Sequence, residues 1–138
     1  MYDWTSWREK VRLTLFISDL VPGDAVSGDC LEMQAILRKW GFSADLYVER
    51  VAEHLRSRVK LFSEYRPVEQ ELIIFHYSGW CQMADYLRSQ GQRRVVMKYH
   101  NITPPEFFRG ANPQTEELTR RGREALGSFA PITLLGLG

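Results

Sequence analysis

The chain has 138 residues, of which 44% are hydrophobic and 25% are charged, values that are ordinary for one globular domain. Its formal net charge of +1 at pH 7 excludes bulk electrostatic binding of nucleic acid or acidic lipid. No apolar run reaches the roughly 18 residues of a membrane span, and the N-terminus does not have the pattern of a signal peptide. We therefore expect a cytoplasmic protein, at most attached peripherally to the inner face of a membrane.

The two cysteines, Cys30 and Cys81, lie in apolar helical patterns without a Cys or His at the spacing of metal ligands. This pattern indicates reduced thiols in or near the core of a cytosolic protein. We expect neither a bound metal ion nor a cofactor. The Arg-rich stretch at 119–123 is interpreted as a solvated helix face rather than as a phosphate or membrane contact.

The chain begins with a predicted strand at 12–18, followed by a turn at 19–24 and a long amphipathic helix. Asp24 is suited to cap the first turn of this helix, and Gly41 is suited to end it. The apolar stripe of the helix is formed by Val26, Cys30, Met33, Leu37 and Trp40, which recur at intervals of three and four residues.

The remaining chain continues this alternation. A second strand is predicted at 44–48, whereas 50–66 is compatible with a short helix and with a short edge strand. Further strands are predicted at 71–77, 93–99 and 131–138, and further helices at 79–91 and 113–127. Strands that alternate with helices indicate parallel βαβ units. We predict a Rossmann-like α/β three-layer sandwich with a parallel sheet in the order 3-2-1-4-5, in preference to the flavodoxin-like order.

In such sheets, ligands bind at the carboxyl ends of the strands, near the point where the strand order reverses. Three segments of this sequence come to that edge: 21–29, 76–80 and 99–108. In the first, VPGDAVSGD, Gly23 permits a tight turn and Gly28 leaves the helix backbone accessible. The segment is neither GxGxxG nor a P-loop, so a plain turn and a ligand-binding loop both remain open.

In the second segment, His76 ends an apolar strand and is followed by Tyr77 and Ser78. A buried structural histidine and a histidine of a site are equally open interpretations. A hydrolase nucleophile is rejected, because Ser78 lacks the G-x-S-x-G frame and no triad is evident.

In the third segment, His100 and Asn101 directly follow a strand, and Pro104 and Pro105 restrict the loop after them. An imidazole and an amide can both donate and accept hydrogen bonds near neutral pH, which suits them to a ligand rich in hydroxyl groups. The alternative is that Asn101 only caps its own turn. The aromatic pair at 107–108 is interpreted as a lid on the core, with a sugar platform as the alternative.

The combination of VPGDAVSGD, LIIFHYS and VMKYHNITPPEFF, followed by a charged helix with RRGRE, resembles the N-terminal domain of bacterial family-4 (group 1) glycosyltransferases. The resemblance extends from about residue 12 to the end of the chain. It implies the GT-B architecture, in which two Rossmann-like domains face each other across a cleft. Such enzymes transfer a hexose from a nucleoside-diphosphate sugar to an acceptor with retention of configuration and without an obligatory metal ion.

By position, the resemblance implies that His100 is the catalytic histidine near the transferred sugar. The turn up to Ser27 would face the donor diphosphate or the acceptor, and the residues at 76–77 would line the acceptor side. The implied substrate-binding residues are Gly23, Asp24, Ala25, Ser27, His76, Tyr77, Asn101 and Thr103.

Two departures from this family pattern affect the expected function. Trp80 is bulkier than the residue expected after the strand, so the acceptor pocket is expected to differ. The sequence ends at LLGLG, where related enzymes continue into a donor-binding domain. We therefore expect residues 1–138 to be one acceptor-side domain, inactive or nearly so without that second domain. The expected partners are a nucleoside-diphosphate sugar, a glycan or lipid-linked acceptor, the C-terminal domain, and a second copy through the exposed interdomain face.

Two other functions are considered. A stand-alone Rossmann-like ligand-binding or regulatory module without catalysis is the main alternative. A flavodoxin-type electron carrier is disfavoured, because the sequence lacks a phosphate-binding loop of that kind.

Overall fold

A computed structural model of the chain describes residues 4–90, 94–100, 102–129 and 133–136. Its α-helices are α1 (Trp4–Lys10), α2 (Ala25–Lys39), α3 (Gln82–Ser89) and α4 (Pro113–Ala125). Its strands are β1 (Arg12–Leu20), β2 (Ser43–Val51), β3 (Lys60–Leu61), β4 (Glu71–Tyr77), β5 (Val95–Tyr99) and β6 (Thr133–Gly136). Short 3₁₀ segments lie at Glu53–Arg58, Phe62–Glu64, Pro105–Phe108 and Leu126–Ser128.

The six strands form one sheet in the order β3-β2-β1-β4-β5-β6, and every neighbouring pair is parallel. The predicted Rossmann-like order is thus confirmed, with β6 added beside β5. The ambiguous stretch at 50–66 contains both of its expected elements, a 3₁₀ helix and an edge strand of two residues. The strand order reverses at β1, since β1 pairs with β2 on one side and with β4 on the other.

The two faces of the sheet carry separate hydrophobic cores. Leu13, Leu15 and Ile17 of β1 point to one face, where side chains of α1 and α2 pack on them. Phe16 points to the opposite face, whose core includes side chains of α3 and α4. Because side chains alternate along a strand, a strand covered on both sides must be apolar at nearly every position. The predicted three-layer α/β sandwich is confirmed.

The predicted start and end of α2 are also confirmed. The Asp24 carboxylate accepts a hydrogen bond from the backbone N–H of Ser27 at 3.0 Å, so it caps the first turn. Gly41, just past the helix, has φ of +93°, a conformation that glycine adopts most readily. The predicted stripe is wrong at Trp40, which is 58% exposed. The helix ends at Lys39, so the helical periodicity no longer directs the next side chain to the core.

The short helix α1 was not predicted from the sequence. In this helix, the ring of Trp7 packs edge-on against Phe42, with 5.2 Å between ring centroids, and the guanidinium of Arg8 donates a hydrogen bond to the carbonyl of Trp40. These contacts come from residues more than 30 positions away in sequence, so a local pattern of seven residues does not disclose them. Among the described residues, no helix combines the length and the hydrophobicity that a membrane crossing requires.

The N-terminal cap of helix α3 comes from a residue of strand β2. Its N-cap residue, Cys81, makes no side-chain cap hydrogen bond. Instead the carboxylate of Glu49 in β2 accepts hydrogen bonds from the backbone N–H groups of Gln82 and Met83, at 3.1 and 3.0 Å. A carboxylate at a helix N-terminus satisfies unpaired N–H groups and is favoured by the helix dipole. The cap therefore ties α3 to the carboxyl end of β2.

Helix α4 packs closely on the turn that follows β4, and a glycine allows it to do so. A Cβ at Gly122 would lie 3.0 Å from Cδ1 of Ile102, 3.1 Å from the backbone N of Trp80 and 3.2 Å from Cα of Gly79. The Tyr77 hydroxyl donates to the carbonyl of Gly122. The close packing of α4 on the sheet thus depends on the absence of a side chain at Gly122.

The substitutions Gly122→Ala and Gly28→Ala form a matched pair, because both glycines lie inside helices. A Cβ at Gly28 would meet no atom within 4 Å, whereas a Cβ at Gly122 would meet backbone atoms. We expect Gly122→Ala to lower the free energy of unfolding by about 1–3 kcal/mol through overpacking. Gly28→Ala should raise it by about 0.5–1 kcal/mol through helix propensity. Urea denaturation of both variants measures this, and stabilisation by Gly122→Ala would contradict the packing of α4.

Candidate functional site

Four polar side chains meet on one face of the sheet at its carboxyl edge: Asp29, His76, Lys98 and His100. In the strand register, His76 of β4 lies beside Ile17 of β1 and beside Lys98 of β5. His100 follows Lys98 by two positions, so the strand alternation directs both to the same face. Asp29 comes from the second turn of α2, which begins at this edge of the sheet.

The nitrogens and oxygens of this cluster lie within a few ångströms of one another. His76 Nδ1 and His100 Nε2 are 3.2 Å apart, and the two rings are nearly parallel, with an interplanar angle of 19°. Oδ2 of Asp29 lies 3.7 Å from His76 Nδ1 and 3.8 Å from His100 Nε2. The Lys98 ammonium donates a hydrogen bond to the same Asp29 oxygen. The cluster thus combines one ion pair with two imidazoles in direct contact.

His76 is the buried member of the cluster. Its side chain has no exposed surface, and Nε2 has no hydrogen-bond partner among the residues that the structure describes. The pKa of His76 is lowered from 6.5 to about 4, mainly by burial, with His100 and Lys98 lowering it as well and Asp29 acting in the opposite direction. The imidazole is therefore neutral at pH 7. His76 is thus buried and contacts His100, and its role in a site stays a prediction.

His100 is the member that solvent can reach. Its side chain is 15% exposed, and its backbone N–H donates to the carbonyl of Tyr77 at 2.8 Å, which extends the β4–β5 pairing past the strand end. Burial lowers the pKa of His100, and the Lys98 ammonium lowers it too, while Asp29 and Asp24 act in the opposite direction. Because Nε2 of this partly exposed imidazole is paired with His76, Nδ1 is the nitrogen left for a hydrogen bond with a ligand.

Asp29, His76 and His100 form a set of three potential metal ligands, with ligand atoms within 4.8 Å of one another. The Lys98 ammonium, however, is already bonded to the Asp29 oxygen that would serve as the third ligand. A divalent cation at this oxygen would lie next to a positive charge. The positive charge beside Asp29 is therefore that of Lys98, and we derive no chemistry from a metal ion.

The turn between β1 and α2 holds the predicted residues Gly23, Asp24, Ala25 and Ser27. Gly23 has φ of +79°, the left-handed conformation that the tight turn requires. The hydroxyl of Ser27 donates to the Asp24 carboxylate and accepts from the backbone N–H of Val21 at 2.9 Å. Ser27 is buried, whereas Gly23, Asp24 and Ala25 are exposed. The hydrogen bonds of Asp24 and Ser27 give the turn a fixed shape, and their binding of a substrate stays a prediction.

Two further predicted residues, Tyr77 and Thr103, are not brought into the cluster. Tyr77 is fully buried on the opposite face of the sheet, where its hydroxyl bonds to α4. Thr103 is exposed in the loop after β5, and Asn101 lies outside the described residues. Trp80 packs on the same opposite face, with the guanidinium of Arg121 4.5 Å from its ring centroid.

Sequence reasoning missed Asp29 and Lys98. A signal for Lys98 was present, because two residues at i and i+2 of a strand share a face. Asp29 had no such signal, since its contact with Lys98 joins residues 69 positions apart. Of the aromatic pair at 107–108, Phe107 is 75% exposed and does not cover the core.

A cavity of about 730 Å³ lies elsewhere, toward the amino ends of β1 and β4, between α1 and the end of α2. Its walls are mostly apolar and include Trp7, Leu37 and Leu72, but none of the four cluster residues. We place the candidate site at the cluster, because chemistry requires polar groups that converge on one point.

No protein-family model matches the chain, and neither a curated protein nor a solved structure matches it. The chain is a Rossmann-like α/β domain with paired histidines at the carboxyl ends of β4 and β5.

We expect His76 to make stability depend on pH. An unfolded histidine binds a proton near pH 6.5, whereas folded His76 does so only near pH 4. The contribution of His76 to the free energy of unfolding is therefore complete above pH 6.5 and is lost as the pH falls toward 4. That loss is about 3 kcal/mol. Relative to His76→Asn, the wild type should therefore lose stability across this window in urea denaturation. The exposed His54 supplies the control variant His54→Asn, whose curve should follow the wild type.

The Lys98 ammonium lowers the pKa of both cluster histidines, so Lys98→Met should raise both values. With three histidines in the chain, their ring protons can be followed individually in an NMR titration. Lys60→Met is the matched control, because Lys60 pairs with Asp45 at the sheet edge instead. Unchanged titration of His76 and His100 in Lys98→Met would contradict the ion pair in the cluster.

Proposed function

We propose that this chain is the acceptor-side domain of a retaining glycosyltransferase of GT-B architecture. In this proposal the enzyme transfers a hexose from a nucleoside-diphosphate sugar to an acceptor. The observation that carries the proposal is the position of His100, partly exposed at the carboxyl end of β5 beside a buried histidine and the first turns of α2. This is the edge at which sheets of this order bind their ligands. It is also the position that the sequence resemblance implies for the catalytic histidine.

The chemistry of the cluster suits this reaction. As the hexose leaves its donor, negative charge develops on the departing diphosphate and positive character on the sugar ring. His100 can hydrogen-bond a hydroxyl of the hexose without adding a full charge, because its low pKa keeps it neutral at pH 7. The N-terminus of α2 contributes a partial positive charge toward the diphosphate. Groups held in place by the fold stabilise such charges without reorganising.

A second Rossmann-like domain would supply most of the donor site, as the resemblance implies. Holding donor and acceptor together across a cleft provides much of the rate enhancement in such a mechanism. The acceptor is a glycan or a lipid-linked sugar, and a cytoplasmic location at the inner membrane face is part of the proposal. Without the second domain, the face around His100 is available for self-association.

The decisive variant is His100→Ala in a polypeptide that joins this domain to its donor-binding domain. We expect release of nucleoside diphosphate from a nucleotide sugar in the presence of acceptor, and about a 100-fold or greater loss of kcat with His100→Ala. His54→Ala is the control, because His54 is exposed on another segment, and it should retain full activity. An unchanged rate in His100→Ala would remove this residue from the mechanism.

The size of the native polypeptide separates the proposal from its main alternative. An immunoblot of source cells with an antibody against this domain should show a band well above the 16.1 kDa of this chain. A native protein of about this size that binds a ligand saturably, without turnover, would instead support a stand-alone binding or regulatory module.

A further inference from the structure

The contact between the two histidines constrains where their protons lie. At 3.2 Å, His76 Nδ1 and His100 Nε2 are within hydrogen-bond distance. Neutral imidazole carries one N–H and one acceptor nitrogen. Two N–H groups would oppose each other at this distance, and two lone pairs would leave both nitrogens unbonded. A single proton therefore lies between them, and either His76 or His100 donates it.

The buried side of His76 decides between these two arrangements. If His100 donates, the proton of His76 must lie on Nε2, which is buried and has no partner among the described residues. If His76 donates from Nδ1, its Nε2 is an unprotonated acceptor. An unpartnered buried N–H is costlier and rarer than an under-used acceptor. The arrangement with His76 as the donor is thus the more stable one.

We infer that His76 is a positioning residue that holds His100 with its proton on Nδ1, so that His100 offers a hydrogen-bond donor to whatever ligand occupies the site. Among the described residues, no hydrogen bond involves Nδ1 of His100. The ligand group that meets this nitrogen must then present an acceptor, such as a hydroxyl or phosphate oxygen. Only the identity of that oxygen as part of a sugar rests on the proposed function.

The charged groups around the pair are consistent with this arrangement. Oδ2 of Asp29 faces both ring nitrogens at 3.7 and 3.8 Å, too far for a good hydrogen bond, and Lys98 is bonded to it. A second proton on His100 would have to occupy Nε2, opposite the N–H of His76. His76 would then have to move its own proton to the buried Nε2. The contact therefore opposes protonation of His100 as well as selecting its tautomer.

The tautomers can be read directly from two-bond and three-bond ¹H–¹⁵N correlations of the uniformly ¹⁵N-labelled chain at about pH 8, where both imidazoles are neutral. We expect a protonated Nδ1 and an unprotonated Nε2 on both His76 and His100. A protonated Nε2 on His100 would overturn the inference. The exposed His54 serves as an internal reference outside the cluster.

Two variants test whether His76 causes this tautomer. The amide of His76→Asn can still donate near the position of Nδ1, so His100 should keep its proton on Nδ1. His76→Leu removes the donor, and the proton of His100 should move largely to Nε2. His54→Asn should change neither signal. If His100 keeps its tautomer in a folded His76→Leu variant, His76 is not the positioning residue. If that variant does not fold, the wild-type and His76→Asn spectra still decide. Because these measurements need no transferase activity, they can succeed or fail independently of the proposed function.

Discussion

The parallel pairing of β4 with β1 on one side and β5 on the other is the constraint on which the core and the site both depend. At the amino end of β4, the buried carboxylate of Glu71 accepts hydrogen bonds from Arg12 and Thr14 of β1 and from Tyr65. At its carboxyl end, the register sets His76 beside Lys98. Since a slip of one residue turns every side chain to the other face, the same register that buries the apolar residues also assembles the cluster.

Burying His76 is costly unless its environment compensates, and the compensation here is incomplete. One ring nitrogen contacts His100, and the other has no partner among the described residues. The protein tolerates this because the ring stays neutral, as its lowered pKa requires. The Lys98 ammonium pairs with the Asp29 carboxylate beside the two rings. The negative charge of Asp29 is therefore balanced by Lys98, and neither imidazole needs a proton for that purpose. Such a balance is typical of sites that need a neutral histidine near pH 7.

At the carboxyl edge of the sheet, the groups that fix the backbone are different from the imidazole that solvent can reach. Asp24 and Ser27 fix the turn before α2 by bonding to each other and to the backbone, and Glu49 fixes the start of α3. Asp24 and Ser27 thereby hold α2, which carries Asp29 into the cluster, and Glu49 holds α3 on the opposite face of the sheet, whereas His100 retains an exposed part. A rigid support with one partly open imidazole is the arrangement that precise positioning of a ligand requires.

Much of the architecture was determined by the sequence alone. The apolar runs and helical stripes predict the parallel sheet, its order and the cap at Asp24, because these features depend on local periodicity and on residues close in sequence. The seven residues of α1 depend on tertiary contacts with residues more than 30 positions away. The placement of Tyr77 opposite His76, in contrast, follows from the alternation of side chains along β4. His76 and His100 were recognised as candidates, but only the tertiary structure brought Asp29 and Lys98 to them. The reason is physical: strand pairing and helix docking join distant residues such as Asp29 and Lys98, which are 69 positions apart, and no local pattern encodes which distant charge will face a given histidine.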